Sequence, residues 1–300
     1  MITIDEERFK EVFGQIFSAY KARSHGFADT HADNLGPQRI YYPKCVKVGN
    51  RDHLYWLTLV ALSDRRTNST MLYRNFARMF NRNKKLFIQG YYPSHRKMER
   101  LFRTYKIAVP VGDIALFLEK KRHLDELFNG DPFAIYNGVG NIDDLLIKAR
   151  RIAKLRGIDL PFPGAKEKIF TLLAMFLSEL TDLQFDDLIP IDVWVQSIAT
   201  STGVLKGEGI IKFRVLERLL RPNMRKLFSG FKDVPGAANA TWILGKSMCT
   251  HCAGRDMKDI CPIYDMCKGP FRRHRTPESD KHSGYIEVPS DFIPKGSNPY

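Results

Sequence analysis

At 300 residues and 44% hydrophobic content, the chain is long enough to bury a full core and too apolar to remain disordered. Lys and Arg number 47 against 33 Asp and Glu, a formal net charge of +14, which favours polyanionic partners such as nucleic acid or an anionic membrane. No run of about 18 apolar residues is present to span a bilayer, and the opening MITIDEERF lacks the basic-then-apolar order of a secretory signal. A cytosolic protein is expected.

In chain order, residues 5 to 22 set Phe9, Val12, Phe13, Ile16 and Phe17 at helical spacing, which predicts an amphipathic helix. A polar stretch containing Gly and Pro runs on to Pro43. Helical period returns in DHLYWLTLVALSD from Asp52, in STMLYRNFARMF, in VGDIALFLEKKRHLDELF and in NIDDLLIKARRIAKLRG. The β-leaning runs are short, IYYPKCVKV and LFIQGYY. The chain is therefore expected to be mostly α, with a Ser-, Pro- and Gly-rich end from Asp280 that orders only where it docks.

Residues 155 to 177, LRGIDLPFPGAKEKIFTLLAMFL, read as a helix end, a Pro-Gly turn and a new helix. Such a turn exposes backbone N–H groups at the start of the second helix, where they can bind a phosphate without reading sequence. The plainer reading is that Pro-Gly only stops one helix and starts another. Downstream, IPIDVWVQSIATSTGVL carries Asp192 at a helix start, a position where Asp is frequently just an N-cap. Basic residues gather in 81–106 and in KGPFRRHR (268–275), with aromatics interleaved.

Four of the five cysteines follow the pattern Cys249-x2-Cys252-x8-Cys261-x5-Cys267. Crowding of this kind in a reducing compartment points to metal ligation rather than disulfides. Zinc accepts four thiolates tetrahedrally and a cubane iron–sulfur cluster takes the same number, so spacing leaves both open. Cys45, far off in sequence, reads as a buried apolar residue.

Several of these pieces resemble the helix-hairpin-helix DNA glycosylase superfamily, in its endonuclease III-like branch with an iron–sulfur cluster loop. The run Trp242–Cys249 and the closing CPIYDMC resemble the cluster loop; the last interval, of five residues, matches, whereas the first two, of two and eight, depart from the family pattern. Phe162-Pro163-Gly164-Ala165-Lys166-Glu167-Lys168 is similar to the family's Leu-Pro-Gly-x-Gly-x-Lys hairpin, with Lys166 in place of the second glycine. The segment around Asp192 resembles the Pro-Val-Asp-x-His-Val stretch. Leu62-Ser63 and Thr67 resemble the loop that fills the gap left by an extruded base, and Arg65 stands where that loop has Gln.

The resemblance implies an all-α helix-hairpin-helix glycosylase fold of two helical domains with a [4Fe–4S] cluster loop. Residues 1–52 would supply an N-terminal helix and loop packing on the cluster domain, 53–204 the helical barrel with the hairpin, and 205–300 the cluster domain and tail, with DNA in the groove between the domains. Asp192 would be the catalytic carboxylate and Lys168 the Schiff-base nucleophile of an AP lyase. Gly164, Lys166 and Arg65 would contact DNA, and Cys249, Cys252, Cys261 and Cys267 would hold the cluster.

The chemistry needs those residue types. Breaking an N-glycosidic bond builds positive charge on the deoxyribose, which a nearby carboxylate stabilises. A lysine amine can attack C1′ to form an imine. The implied partner is double-stranded DNA containing a lesion or modified base, bound by a monomer in the cytoplasm at the nucleoid; the long DLQFDDLIPID segment is similar to archaeal 8-oxoguanine glycosylases and suggests an oxidised base. Two alternatives stand beside excision: a phage-type enzyme of the same fold that modifies thymine-derived bases, and a non-catalytic, zinc-bearing DNA-binding module. Residues 107–140 have no counterpart in the resemblance and read as an insertion that alters substrate choice.

Overall fold

In the computed structural model, the described residues are 1–28, 37–64, 69–107, 112–231, 233–252, 256–267, 273–274 and 285–288. They are mostly helical. The helices are α1 (Glu6–Ala22), α2 (Pro37–Ile40), α3 (Arg51–Ser63), α4 (Ser69–Arg82), α5 (His95–Thr104), α6 (Gly112–Phe128), α7 (Phe133–Tyr136), α8 (Ile142–Arg156), α9 (Glu167–Ser178), α10 (Val193–Ser201), α11 (Phe213–Phe228) and α12 (Val234–Ile243). Short strands β1 (Thr3–Ile4), β2 (Leu205–Lys206), β3 (Gly209–Lys212), β4 (Arg273–His274) and β5 (Tyr285–Val288) form two small antiparallel sheets, β1-β2 and β3-β5-β4. The chain divides into two compact units, one of Met1–Asn34 with Ile191–Tyr300 and one of Leu35–Pro190.

In the discontinuous unit, α1 starts where Asp5 accepts a hydrogen bond from the Arg8 N–H at 3.1 Å, with Glu6 and Glu7 in the first turn, and ends on Arg23 at φ +53°. Its buried face is the predicted one, Phe9, Val12, Phe13, Ile16 and Phe17, laid against α11 and α12. The end of the chain takes part too: β5 pairs Gly209 with Val288 and Lys212 with Tyr285.

The continuous unit is built around α3, of which every residue from His53 to Ser63 is buried. A helix buried all round must be covered on every side; α4, α6 and α9 do so. Packed on α9, α8 is capped at the start by Asn141, which accepts from the Asp143 and Asp144 N–H groups at 3.1 Å, and ends on Gly157 at φ +63°.

The main element of residues 107–140, read from the sequence as an insertion that alters substrate choice, is α6, which packs in the core of the continuous unit. Ile114, Phe117, Leu124 and Phe128 are buried, and three polar side chains tie α6 to what surrounds it. Lys120 Nζ donates to the Leu62 carbonyl at the end of α3 (2.6 Å), Lys121 Nζ to the Ile88 carbonyl (3.1 Å), and His123 Nδ1 to the Pro161 carbonyl (2.6 Å). Lys121 also pairs with Asp125 at 3.0 Å, both fully buried, and Tyr55 donates to the same carboxylate at 2.7 Å.

Neither β-leaning run is a strand, and for one of them the network is part of the reason. In LFIQGYY the backbone is satisfied by side chains: Gly90 N–H donates to Asp125 Oδ2 at 3.0 Å, besides the Ile88 carbonyl held by Lys121. Of IYYPKCVKV, Ile40 closes α2 and the rest is turn and irregular chain. Cys45 lies there exposed rather than buried.

Candidate functional site

The predicted hairpin is a turn between α8 and α9. Its tip is a four-residue turn, Phe162 to Ala165, closed by the Ala165 N–H donating to the Phe162 carbonyl at 3.0 Å. Pro163 occupies the second position and Gly164 the third at φ +74°, the requirements of a type II turn. Phe162 anchors the tip, buried and stacked on Phe128 with centroids 5.3 Å apart, while His123 holds the preceding carbonyl. Lys166 follows as the N-cap of α9 in an extended conformation with no side-chain cap bond, so its side chain satisfies none of the first N–H groups of α9. Lys166 and Lys168 are exposed beside that helix start. The structure thus brings Gly164, Lys166 and Lys168 onto one projection. Arg65 lies outside the described residues.

Positive charge continues from the turn along α8, where Arg150, Arg151, Lys154 and Arg156 are exposed. Of the 81–106 group, α5 carries Arg96, Lys97, Arg100 and Arg103 outward and Met98 and Phe102 inward. KGPFRRHR lies outside the described residues except for the backbone of Arg273–His274 in β4.

Asp192 belongs to the other unit. It is partly buried and caps α10, Oδ1 accepting from the Trp194 N–H at 2.8 Å and the Val195 N–H at 3.1 Å. The helix it caps is packed closely by a segment distant in sequence. The π-helical turn Leu244–Cys249 runs against α10 so closely that a Cβ on Gly245 would sit 2.4 Å from Trp194 Cβ and Cγ. Glycine is required by that approach.

The same turn delivers Cys249. Cys252 follows, Cys261 comes next with its N–H on the Met257 carbonyl at 2.7 Å, and Cys267 closes the 3-10 turn Tyr264–Met266. All four thiols are partly buried. Burial pushes the Cys249 thiol far above its ordinary range, and Cys261, Cys267 and Cys252 push it further. Thiolates facing one another in this way are what a multivalent cation relieves.

Among the described residues no three His, Cys, Asp or Glu side chains are drawn together to hold a single metal ion. The all-thiolate donor set is chemically suited to a cubane cluster and to zinc alike.

Arg8, missed by pattern reading, ties these parts together. Its Nε donates to the Thr202 carbonyl beyond α10 at 2.9 Å and its Nη2 to the Met266 carbonyl, next to Cys267, at 3.0 Å. Nothing in the amphipathic repeat of α1 separates it from a solvated arginine. No helix among the described residues is long and apolar enough to cross a membrane. Compared with known proteins, the chain matches no family model, no curated protein and no solved structure.

Proposed function

We propose that the protein is a DNA base-excision glycosylase of the helix-hairpin-helix type that removes a flipped, oxidised base and nicks the strand through a lysine imine. The observation that carries the reading is the hairpin tip, a Pro163-Gly164 turn whose glycine has φ +74°, leading into a helix start with exposed Lys166 and Lys168. In this reading Gly164 and the first N–H groups of α9 grip a backbone phosphate, with Lys166 and the α8 arginines adding sequence-independent attraction. Lys168 supplies the amine. Asp192 stabilises the positive charge that builds on the sugar as the base departs.

Cys249, Cys252, Cys261 and Cys267 are proposed to hold a [4Fe–4S] cluster. Bound there, the cluster would cross-link the turns that carry the thiolates and is a group capable of electron transfer. The chain's own contribution is to keep those turns against α1 and α10 through Arg8 and Gly245.

The test incubates purified protein with duplexes bearing an oxidised base and follows free base and strand cleavage, in wild type, Asp192→Asn and Lys168→Gln. Base release lost in the first variant, and cleavage lost in the second with borohydride trapping, is the expected result. Duplex whose base gains mass without being released would replace excision by modification. A colourless preparation containing zinc and inactive on every duplex would leave a DNA-binding module.

A further inference from the structure

Most of the net positive charge is gathered in one stretch of the continuous unit. Residues 69–106 hold ten Lys and Arg against a single acid, Glu99. On α4, Arg74, Arg78 and Arg82 recur every four residues and are exposed, while Leu72, Phe76 and Phe80 are buried. On α5, Met98 and Phe102 are buried, and the Phe102 ring meets Phe76 of α4 and Phe117 of α6 at 5.6 and 5.5 Å. That inward pair fixes the turn of α5 about its axis, so Arg96, Lys97, Arg100 and Arg103 face outward. Asn75 Nδ2 donates to the Lys106 carbonyl at 3.0 Å and Asn83 Nδ2 to the Tyr105 hydroxyl at 3.4 Å, which brings the end of α5 alongside α4. Arg78 and Arg82, three and seven residues beyond Asn75, share that side of α4, so the two basic rows adjoin. Arg103 pairs with Glu99 at 2.7 Å, whereas Arg78, Arg96 and Arg100 carry no ion pair among the described residues. His95, Arg96 and Lys97 open α5 with no acid in the first turn. Positive charge there opposes the helix dipole, so helix stability does not account for it.

We propose that this α4–α5 face is a second DNA-binding surface, which holds the phosphodiester backbone of a duplex without reading its sequence. It is set apart from the hairpin: the hairpin meets α6 at Phe128 and α5 meets it at Phe117, eleven residues or roughly 16 Å along the helix. The inference rests on the reading of DNA as the partner and on nothing else in the proposed function. An anionic membrane would need the apolar side of α5 to enter the lipid, but Met98 and Phe102 are already buried in the core. A protein partner would need an apolar centre to the interface. Of the large apolar side chains on α4 and α5, only Met71 is exposed. Two rows of fixed positive charge without such a centre suit phosphates, which each strand of a duplex presents about every 3.4 Å along its axis.

The experiment follows binding of the full chain to a short undamaged DNA duplex by fluorescence anisotropy over a salt series, so no excision is involved. In the triple variant Arg78→Gln, Arg96→Gln, Arg100→Gln, the slope of log affinity against log salt is expected to shrink by about two to three. Affinity at moderate salt should fall about 10-fold or more. A control triple in the other unit, Lys10→Gln, Arg214→Gln, Arg218→Gln, removes the same charge from exposed positions and is expected to keep the slope. Lysine at the three arginine positions should keep it too, and equal melting temperatures show that each variant folds. A slope unchanged in the arginine set overturns the inference. So does an equal loss in both triples, which leaves net charge as the whole cause. Polyglutamate that displaces the duplex at equal charge also overturns it, giving the face to an acidic protein. Base release from a lesion duplex by wild type and Asp192→Asn tests the proposed chemistry separately, since either outcome leaves the salt slope where it was.

Discussion

His53 and Asp192 show how much a single side chain carries here. The imidazole of His53 is buried, accepts the Gly49 N–H at 3.1 Å, and leaves Nε2 without a partner among the described residues. Burial lowers its pKa from 6.5 to about 4. The unfolded chain therefore takes up this proton from pH 6.5 downward while the folded chain resists until about 4. Stability is complete above that window and is lost as pH falls through it, by at most about 3 kcal/mol. Urea midpoints measured from pH 7 to 4 should fall in wild type and fall less in His53→Gln. At Asp192 the cap and the proposed chemistry can be pulled apart: Asn caps as well as Asp, so Asp192→Asn should keep its thermal midpoint yet lose about 100-fold or more in base release. Asp192→Ala should lose the same activity and about 1 kcal/mol of stability as well. Equal activity in Asp192→Asn and wild type would reduce Asp192 to a helix cap. Gly245→Ala forces a methyl into Trp194 and should destabilise by about 3 kcal/mol or more, read as a lower melting temperature.

At the scale of elements, α6 is the least expected part. Its Lys121–Asp125 pair sits at i,i+4 in EKKRHLDE, the pattern of a solvated salt bridge, yet both side chains are fully buried. Burial holds the Lys121 amine below its usual range, with Asp125 opposing, and drives the Tyr92 phenol up to about 12, with Asp125 adding to the effect. Removing one charge should cost about 3–5 kcal/mol, because the other is left buried and unpaired; replacing both with Met and Leu should cost clearly less. A double-mutant cycle in denaturant measures the difference.

The helices at 5–22, 69–80, 111–128 and 141–157 were legible because a buried stripe repeats every 3.6 residues, and the one at 52–64, buried all round, because its apolar run is too long for a strand. The polar anchors of α6 were not, since charge spacing is the same on a wet face and in a core. Strands were misplaced for a related reason: β3 is only GIIK, and its partner lies at 285–288, a pairing invisible to any local window. Of the candidate site, the turn geometry at Pro163-Gly164 could be read directly from residue type, whereas Arg8 and the constraint on Gly245 depend on neighbours distant in sequence.

For the whole molecule, the proposed cluster and the +14 charge give separate handles. If the thiolates hold a cluster, its oxidative removal should expose residues 249–267 to protease before any cut appears within 69–107 or 112–190, because only the discontinuous unit contains the cysteines that it links. Simultaneous loss of both units in a proteolysis time course would contradict this.

The interrupted path of the chain has a consequence for its biosynthesis. The phenylalanines of α1 leave the ribosome early, but α11 and α12, which cover them, are encoded some two hundred residues later. At about 5–20 residues per second, that apolar helix waits roughly 10–40 s for its cover while the stretch from Leu35 to Pro190 can already fold. Once Pro190 has emerged, and until α11 and α12 follow, the nascent chain carries a folded unit beside an uncovered apolar helix, and chaperone capture during translation should map to residues 6–22.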